Sequence, residues 1–249
     1  RVAGRLGRPY ERAMTSPATH PVPPDPLGLI PRLLHRDASV LILNKPAGLP
    51  VHKGPGGGET LADHLDVLRF GLPRAPELAH RLDKDTAGCL VLGRHRRALE
   101  RLGQLFKRNE VKKTYWAVVE GGPVADEGEI ALAMSPRDPK RGWWMKADPK
   151  GQPALTRFRV LGRGEGRTWL ALEPVTGRTH QLRLHCAASG FPILGDTIYG
   201  TALRRGGPGL HLLARAVVVP FDPKRPAITA EAPPPEAMHE ALAGCGWTA

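Results

Sequence analysis

From Val111 onward the chain is written as a succession of short strand-like runs, VKKTYWAVVEG, EIALAM, ALTRFRVLG and RTWLALEPV, separated by Gly and Pro. Such runs, rich in β-branched and aromatic residues between turn-formers, favour strands over helices. HLLARAVVVPF adds a late strand. Upstream, Ser39 to Leu43 and Ala87 to Leu92 read as short buried strands, the first stopped by Asn44-Lys45-Pro46-Ala47-Gly48. Helical signals are fewer. Glu59 to Phe70 places Leu61, Leu65 and Leu68 at helical spacing. Arg94 to Asn109 gathers Ala98, Leu99, Leu102, Leu105 and Phe106 on one face with Arg and Lys opposite. TGRTHQLRLHCAASG, 176 to 190, carries a start signal at Thr179 and a stop at Gly190. Strand runs with a few interspersed helices and no fixed-period repeat predict an α+β fold, a mainly antiparallel mixed sheet with flanking helices and loops around a cleft.

Charge narrows the partner. Lys plus Arg number 36 against 24 for Asp plus Glu, a net +12 over 249 residues, which favours a polyanion and nucleic acid first. The sequence has no basic amphipathic helix with a broad apolar face and no 18-residue apolar run, so no membrane partner is expected. Cys89, Cys186 and Cys245 lie far apart with no C-x-x-C pair, which argues against disulfides and a thiolate zinc site and for a reducing, cytoplasmic compartment. Self-repulsion of the positive charge favours a monomer.

The first residues, RVAGRLGRPYERAM, are basic and lack the hydrophobic region of a secretory signal. Their Arg content fits an organellar transit peptide or upstream coding sequence ahead of a start at Met14. Prolines at 17, 21, 23, 24, 26 and 31 exclude a helix or central strand there. Residues 1–30 are therefore expected to be a Pro-rich, basic leader, extended or disordered, with the folded part beginning near Leu33.

The densest cluster of functional side chains is HRLDKDTAG at 80–88, in a loop between a helix and a buried strand, where a carboxylate can be presented at a cleft. Standing alone, Asp83 reads as a turn carboxylate, and Asp85 keeps that reading. The stretch resembles the HRLD-x-x-T-S-G signature of the RluA family of pseudouridine synthases. NKPAGLPVH at 44–52, VKKTYWAVVEG at 111–121, TGRTHQLRLH at 176–185 and FPILGDTIYG at 191–200 are similar to four further motifs of that family, in order. The likeness weakens over HLLARAVVVPFDP and does not reach residues 1–30.

The resemblance implies a pseudouridine synthase fold with residues 31–249 as the catalytic domain. It implies isomerisation of specific uridines in structured RNA, ribosomal or transfer or both, without cofactor or metal. Asp83 is then the catalytic carboxylate, attacking the sugar or taking a proton from it. Arg183 is its charge partner, favouring the ionised form. Lying three residues after His180, Arg183 shares a helix face with it if the segment is helical. Tyr115 stacks on the flipped base and is a candidate for later proton transfer. Leu184 aligns with an apolar pocket residue, and Arg81 with an arginine that displaces the flipped nucleotide. His80 and Arg178 are candidate substrate contacts, with His80 and Lys45 suited to structure or phosphate positioning. Two residues depart from the pattern: Ala87 stands where Ser is usual, and Phe191 replaces His before Pro192.

Outside these motifs, PRDPKRGWWMKADPK at 136–150 sets Arg137, Lys140, Arg141, Lys146 and Lys150 around Trp143 and Trp144. Basic side chains beside aromatics suit a loop that grips RNA by phosphate contact and base stacking. The basic face of the 94–109 helix adds to the same field. Two rival classes are weaker. A non-catalytic RNA-binding protein on the same fold should lack the Asp83 and Arg183 pair. A metal hydrolase using His80, His180, His185 and His211 has the wrong spacing, since His180 and His185 are five apart and no acidic ligand accompanies them.

Overall fold

The computed structural model describes residues 24–54, 57–138, 144–203 and 206–248. In chain order the strands are β1 (Leu33–Arg36), β2 (Val40–Lys45), β3 (Glu77–Leu78), β4 (Ala87–Gly93), β5 (Lys112–Glu120), β6 (Glu127–Ala131), β7 (Met134–Pro136), β8 (Met145–Ala147), β9 (Leu155–Gly164), β10 (Arg167–Pro174), β11 (Leu212–Val219) and β12 (Ile228–Glu231). Among the described residues three α-helices join them: α1 (Arg96–Lys107), α2 (Gln181–Ala188) and α3 (His239–Gly244). Ten of the described strands form one sheet in the order β1-β2-β4-β11-β5-β10-β9-β6, with β12 on β11 and β3 on β4, while β7 and β8 form a separate hairpin. The α+β expectation holds.

Among the described residues every pairing in the large sheet is antiparallel except β4 with β11, where Leu213 lies opposite Ala87. Parallel neighbours need a long connection, and here it carries the whole β5–β10 half of the sheet and α2. Gly88, the last residue of HRLDKDTAG, stands at this junction with φ +108°, and a Cβ there would run into the Ala214 carbonyl. Only glycine lets the two strands approach at the mouth of the loop that carries Asp83.

Side-chain alternation divides the core. Val40, Ile42, Cys89, Val91, Leu213 and Val217 pack with Leu102 and Leu105 of α1 and Leu242 of α3. Their neighbours Leu41, Leu43, Leu90, Leu92 and Ala214 join Leu61, Leu65 and Leu68 instead. Helix α1 follows its 3.6-residue period, with Ala98, Leu102 and Leu105 buried.

Several boundaries differ from the sequence expectation. Leu61–Leu68 is a 3-10 helix, opened by a capping box in which Thr60 and Asp63 exchange side-chain bonds to backbone. Its i+3 bonding brings Val67 to the core beside Leu65 and Leu68. Asn44 and Lys45 belong to β2 rather than to the turn after it. Helix α2 begins at Gln181, because His180 takes a left-handed backbone and Thr179 lies outside it. Leu29 is fully buried, so packing starts ahead of Leu33. The leader expected over residues 1–30 lies outside the described residues as far as position 23.

Candidate active site

The Asp83 loop is held from both sides before it reaches the cavity. The Nε2 of His80 accepts the Val91 N–H of β4 at 3.0 Å, and its ring stacks on Phe106 of α1 at 4.4 Å. Burial, with Lys113 nearby, pushes the imidazole down to about 3, so it is neutral at physiological pH. Leu82 is buried in the core, and the Thr86 N–H closes the turn on the Asp83 carbonyl at 3.2 Å. Beneath the loop, Lys45 donates to the carbonyls of Pro46, Leu49 and Lys84 at 2.7, 2.8 and 3.0 Å. Burial lowers its amine to about 8, which leaves an ammonium at neutral pH whose three N–H groups match these acceptors. The Asp83 side chain itself is left partly open to the cavity, 19% exposed.

Helix α2 supplies the facing wall. Arg183 donates from Nε to Asp196 Oδ2 at 2.8 Å and from Nη2 to Oδ1 at 2.7 Å, a bidentate pair with both side chains buried. Asp196 Oδ1 also accepts the N–H groups of Ile198 and Tyr199 at 2.8 and 3.0 Å. Burial alone would raise the Asp196 carboxyl, yet hydrogen bonds and charge from Arg183 hold it below the usual carboxylate range. The remaining nitrogen of Arg183, Nη1, stands 4.0 Å from Asp83 Oδ2. His180 Nε2 approaches the same oxygen at 3.7 Å. Its Nδ1 lies 3.0 Å from the Tyr199 hydroxyl, which accepts the Met145 N–H at 3.0 Å.

Tyr115 completes the group from β5. Its neighbour Trp116 turns to the opposite face, where it meets Trp169 edge-on and lies 4.6 Å from the Arg215 guanidinium. Strand alternation therefore points Tyr115 into the cavity. Burial and the nearby Asp83 charge push its phenol up, so it is a neutral hydroxyl. These groups surround a cavity of about 560 Å³, with Leu182 and Leu212 as apolar wall and Arg81, Lys107, Lys113 and Arg178 among its lining. This volume is in the range of small-molecule sites.

The structure thus brings Asp83, Tyr115, Arg183, Arg81, His80 and Arg178 to one cavity, with Arg81 and Arg178 exposed at its surface. His80 is a fixed, neutral acceptor, not a cation for phosphate. Leu184 is elsewhere: it packs with Met134, Met145 and Ala154 under the β7–β8 hairpin, because its position on α2 faces away from Asp83. Leu182 takes the apolar place expected of it. Trp144 is half-buried, with the Arg137 guanidinium 4.4 Å above its ring. Trp143, Lys140 and Arg141 lie outside the described residues. Arg178 also lines a second cavity with Met134 and Lys150, so basic surface runs from the Asp83 site toward that hairpin.

His180 and Arg183 do converge, but not by sharing a helix face, since His180 precedes α2. Asp196, Tyr199 and the role of His180 were not identified from the sequence. The available signal was that a buried arginine needs a buried carboxylate, and FPILGDTIYG offers one. The histidines of the metal reading are dispersed: His185 bonds Leu132 O at 3.1 Å and His211 bonds Gly209 O at 2.8 Å.

A family model described as RNA pseudouridylate synthase matches residues 39–188, the span that contains Asp83, Tyr115, His180 and Arg183. An uncharacterized RNA pseudouridine synthase of Zymomonas mobilis is 44% identical over 214 residues, covering 85% of this chain and 97% of that protein. The ribosomal large subunit pseudouridine synthase C of Vibrio parahaemolyticus is 36% identical over 170 residues, covering 68% of this chain and 52% of that protein. Among solved structures, human RNA pseudouridylate synthase domain containing 4 has a TM-score of 0.73 at 28% identity, over 87% of this chain and 94% of that one.

Proposed function

Because this chain belongs to the RNA pseudouridylate synthase family, we propose that the cavity between the Asp83 loop and α2 is where uridine in RNA becomes pseudouridine, with Asp83 as the working carboxylate. The chain is an RNA pseudouridine synthase, an isomerase. In that reaction the bond from uracil N1 to the ribose breaks, the base turns, and carbon 5 bonds to the ribose. The carbon 5 hydrogen leaves and N1 gains a proton, so the atoms balance without a second substrate.

The observation that carries the assignment is the convergence on one oxygen: Asp83 Oδ2 faces Arg183 at 4.0 Å and His180 at 3.7 Å inside the cavity. A carboxylate that attacks the ribose or takes a proton from it must be held in a fixed direction, and the guanidinium clamped by Asp196 faces it from one side. Tyr115 offers an aromatic face to the extruded base, while Leu182 and Leu212 exclude water around it. Arg81 and Arg178 receive the flanking backbone, and the Arg137 and Trp144 hairpin extends the grip.

Ribosomal RNA is the first substrate class to test, supported by the relative named for the large ribosomal subunit, with transfer RNA as the second pool. The net +12 supports a monomer, and the buried free cysteines support a reducing, cytoplasmic setting. Residues 31–249 act as the catalytic unit, with Leu29 already packed into its core. Tritium release from RNA labelled at uridine carbon 5, measured on ribosomal and transfer pools separately, tests the function. Release from the ribosomal pool is expected. Release from neither pool would contradict it.

A further inference from the structure

His180 holds φ 53° and ψ 19°, a left-handed backbone that residues with a side chain rarely adopt. Helix α2 gains nothing obvious from it, because His180 makes no side-chain cap bond there. The conformation does place the imidazole between Tyr199 and Asp83. Backbone outliers of this kind gather at functional sites.

The contacts on either side of the ring, the Tyr199 hydroxyl at Nδ1 and the Asp83 carboxylate toward Nε2, favour a proton on Nε2. The Tyr199 hydroxyl accepts the Met145 N–H at 3.0 Å, and its own proton is available for His180 Nδ1 at 3.0 Å. An accepting Nδ1 leaves the proton of the neutral ring on Nε2. Burial lowers the imidazole pKa, so the neutral ring is the resting form. Nε2 is also the atom 3.7 Å from Asp83 Oδ2.

We propose that His180 is a positioning residue for Asp83, its imidazole fixed by Tyr199 in the Nε2–H form so that this N–H, together with Nη1 of Arg183, orients the carboxylate toward the ribose. The inference rests on Asp83 as the working carboxylate. The 3.7 Å separation shortens to a hydrogen bond when uridine fills the cavity, as such contacts commonly do on substrate binding. Tyr199 is then the residue that selects the tautomer, through a chain running Met145, Tyr199, His180, Asp83. Arg183 holds the carboxylate by charge; His180 holds its direction.

Arg81 and Asp196 act on the same imidazole, and Lys45 and Tyr115 face the same carboxylate, so a pH profile would mix their titrations. The informative readouts are the single-turnover rate of tritium release at saturating enzyme, the RNA dissociation constant, and nitrogen-15 shifts of the imidazole. His180→Asn tolerates the left-handed backbone and can still meet Tyr199, but is too short to reach Asp83. His180→Gln places an amide N–H close to the position of Nε2. The Asn variant is expected to lose roughly 10- to 100-fold in rate with RNA affinity within about twofold of the parent, and the Gln variant to recover about tenfold. In Tyr199→Phe the nitrogen-15 shifts should report a mixture of tautomers and the rate should fall.

A parental rate in His180→Asn would overturn the proposal, as would equal defects in the Asn and Gln variants or a loss confined to RNA affinity. Asp83→Asn separates the two levels. If it is silent while His180→Asn is fully active, the histidine has no such role and Asp83 keeps its own. If Asp83→Asn is itself active, both assignments fall.

Discussion

Arg183 reaches toward Asp83 with the nitrogen that Asp196 leaves over: Nε and Nη2 bond the Asp196 carboxylate at 2.8 and 2.7 Å, and Nη1 stands 4.0 Å from Asp83 Oδ2. A bidentate pair fixes the guanidinium plane, and the plane fixes where the third nitrogen points. Asp196, far from the HRLD loop in sequence, thereby sets the geometry of the site.

Removing that clamp should harm stability and rate together. Asp196→Ala leaves the buried guanidinium without its bidentate partner, and urea unfolding is expected to show a loss of about 3 kcal/mol. Asp196→Asn keeps some hydrogen bonding and should lose less stability. Its single-turnover rate should still fall roughly tenfold or more as Arg183 loses its orientation. A stable Asn variant with parental rate would contradict the positioning role of Asp196.

His80 should appear in the acid dependence of stability. Its folded pKa of about 3 lies below the ordinary 6.5, so as pH falls through 6.5 the unfolded chain takes up the proton first. The stability tied to neutral His80 is complete above 6.5 and declines toward pH 3. His80→Gln keeps an acceptor for Val91 N–H without the titration. Its urea midpoint should change less than the parent's between pH 7 and pH 4.5, and parallel curves would rule this out.

Lys45 joins the turn after β2 to the Asp83 loop through its bonds to Pro46, Leu49 and Lys84. Lys45→Met preserves length but leaves those acceptors without their donor, a cost of about 1–3 kcal/mol. Hydrogen exchange should rise at residues 83–86, and the rate should fall more than RNA affinity. Unchanged exchange in that loop would show that Lys45 does not hold it.

The β7–β8 hairpin should contribute to binding, not chemistry. Trp144→Ala is expected to weaken RNA by about 1–3 kcal/mol if the ring stacks on a base, and Arg137→Ala to shallow the salt dependence of affinity by about one phosphate contact. Single-turnover rates at saturation should stay near the parent's. A rate defect at saturation would move the hairpin into the reaction itself.

Much of this fold is legible in the sequence. Helix α1 announces itself because five apolar residues keep one period across a single amphipathic face, and β4, β5 and β10 because their runs are bounded by turn-formers. Leu61–Leu68 misled because the Leu spacing fits both an α-helix and the tighter 3-10 coil that its capping box begins. The parallel pairing of β4 with β11 was hidden because it joins residues more than a hundred positions apart through a glycine contact with Ala214. At the site, Asp83, Tyr115 and Arg183 were singled out by the family resemblance of the motifs that carry them, and the fold brings them to one cavity. Asp196, Tyr199 and the left-handed His180 were not, since each acts through contacts that only the folded chain creates. Leu184 was misplaced for the opposite reason: its motif position was clear, but the start of α2 at Gln181 turns it to the hairpin and gives the cavity to Leu182.

The most direct measurement is single-turnover tritium release from RNA labelled at uridine carbon 5, with the parent and Asp83→Asn compared at matched, saturating occupancy. Asp83→Asn removes the charge and keeps the shape of the side chain. The parent should release tritium, while the variant binds RNA with similar affinity and releases none above background. Release by the variant at a rate near the parent's would show that the carboxylate between Arg183 and His180 is not the group that makes pseudouridine.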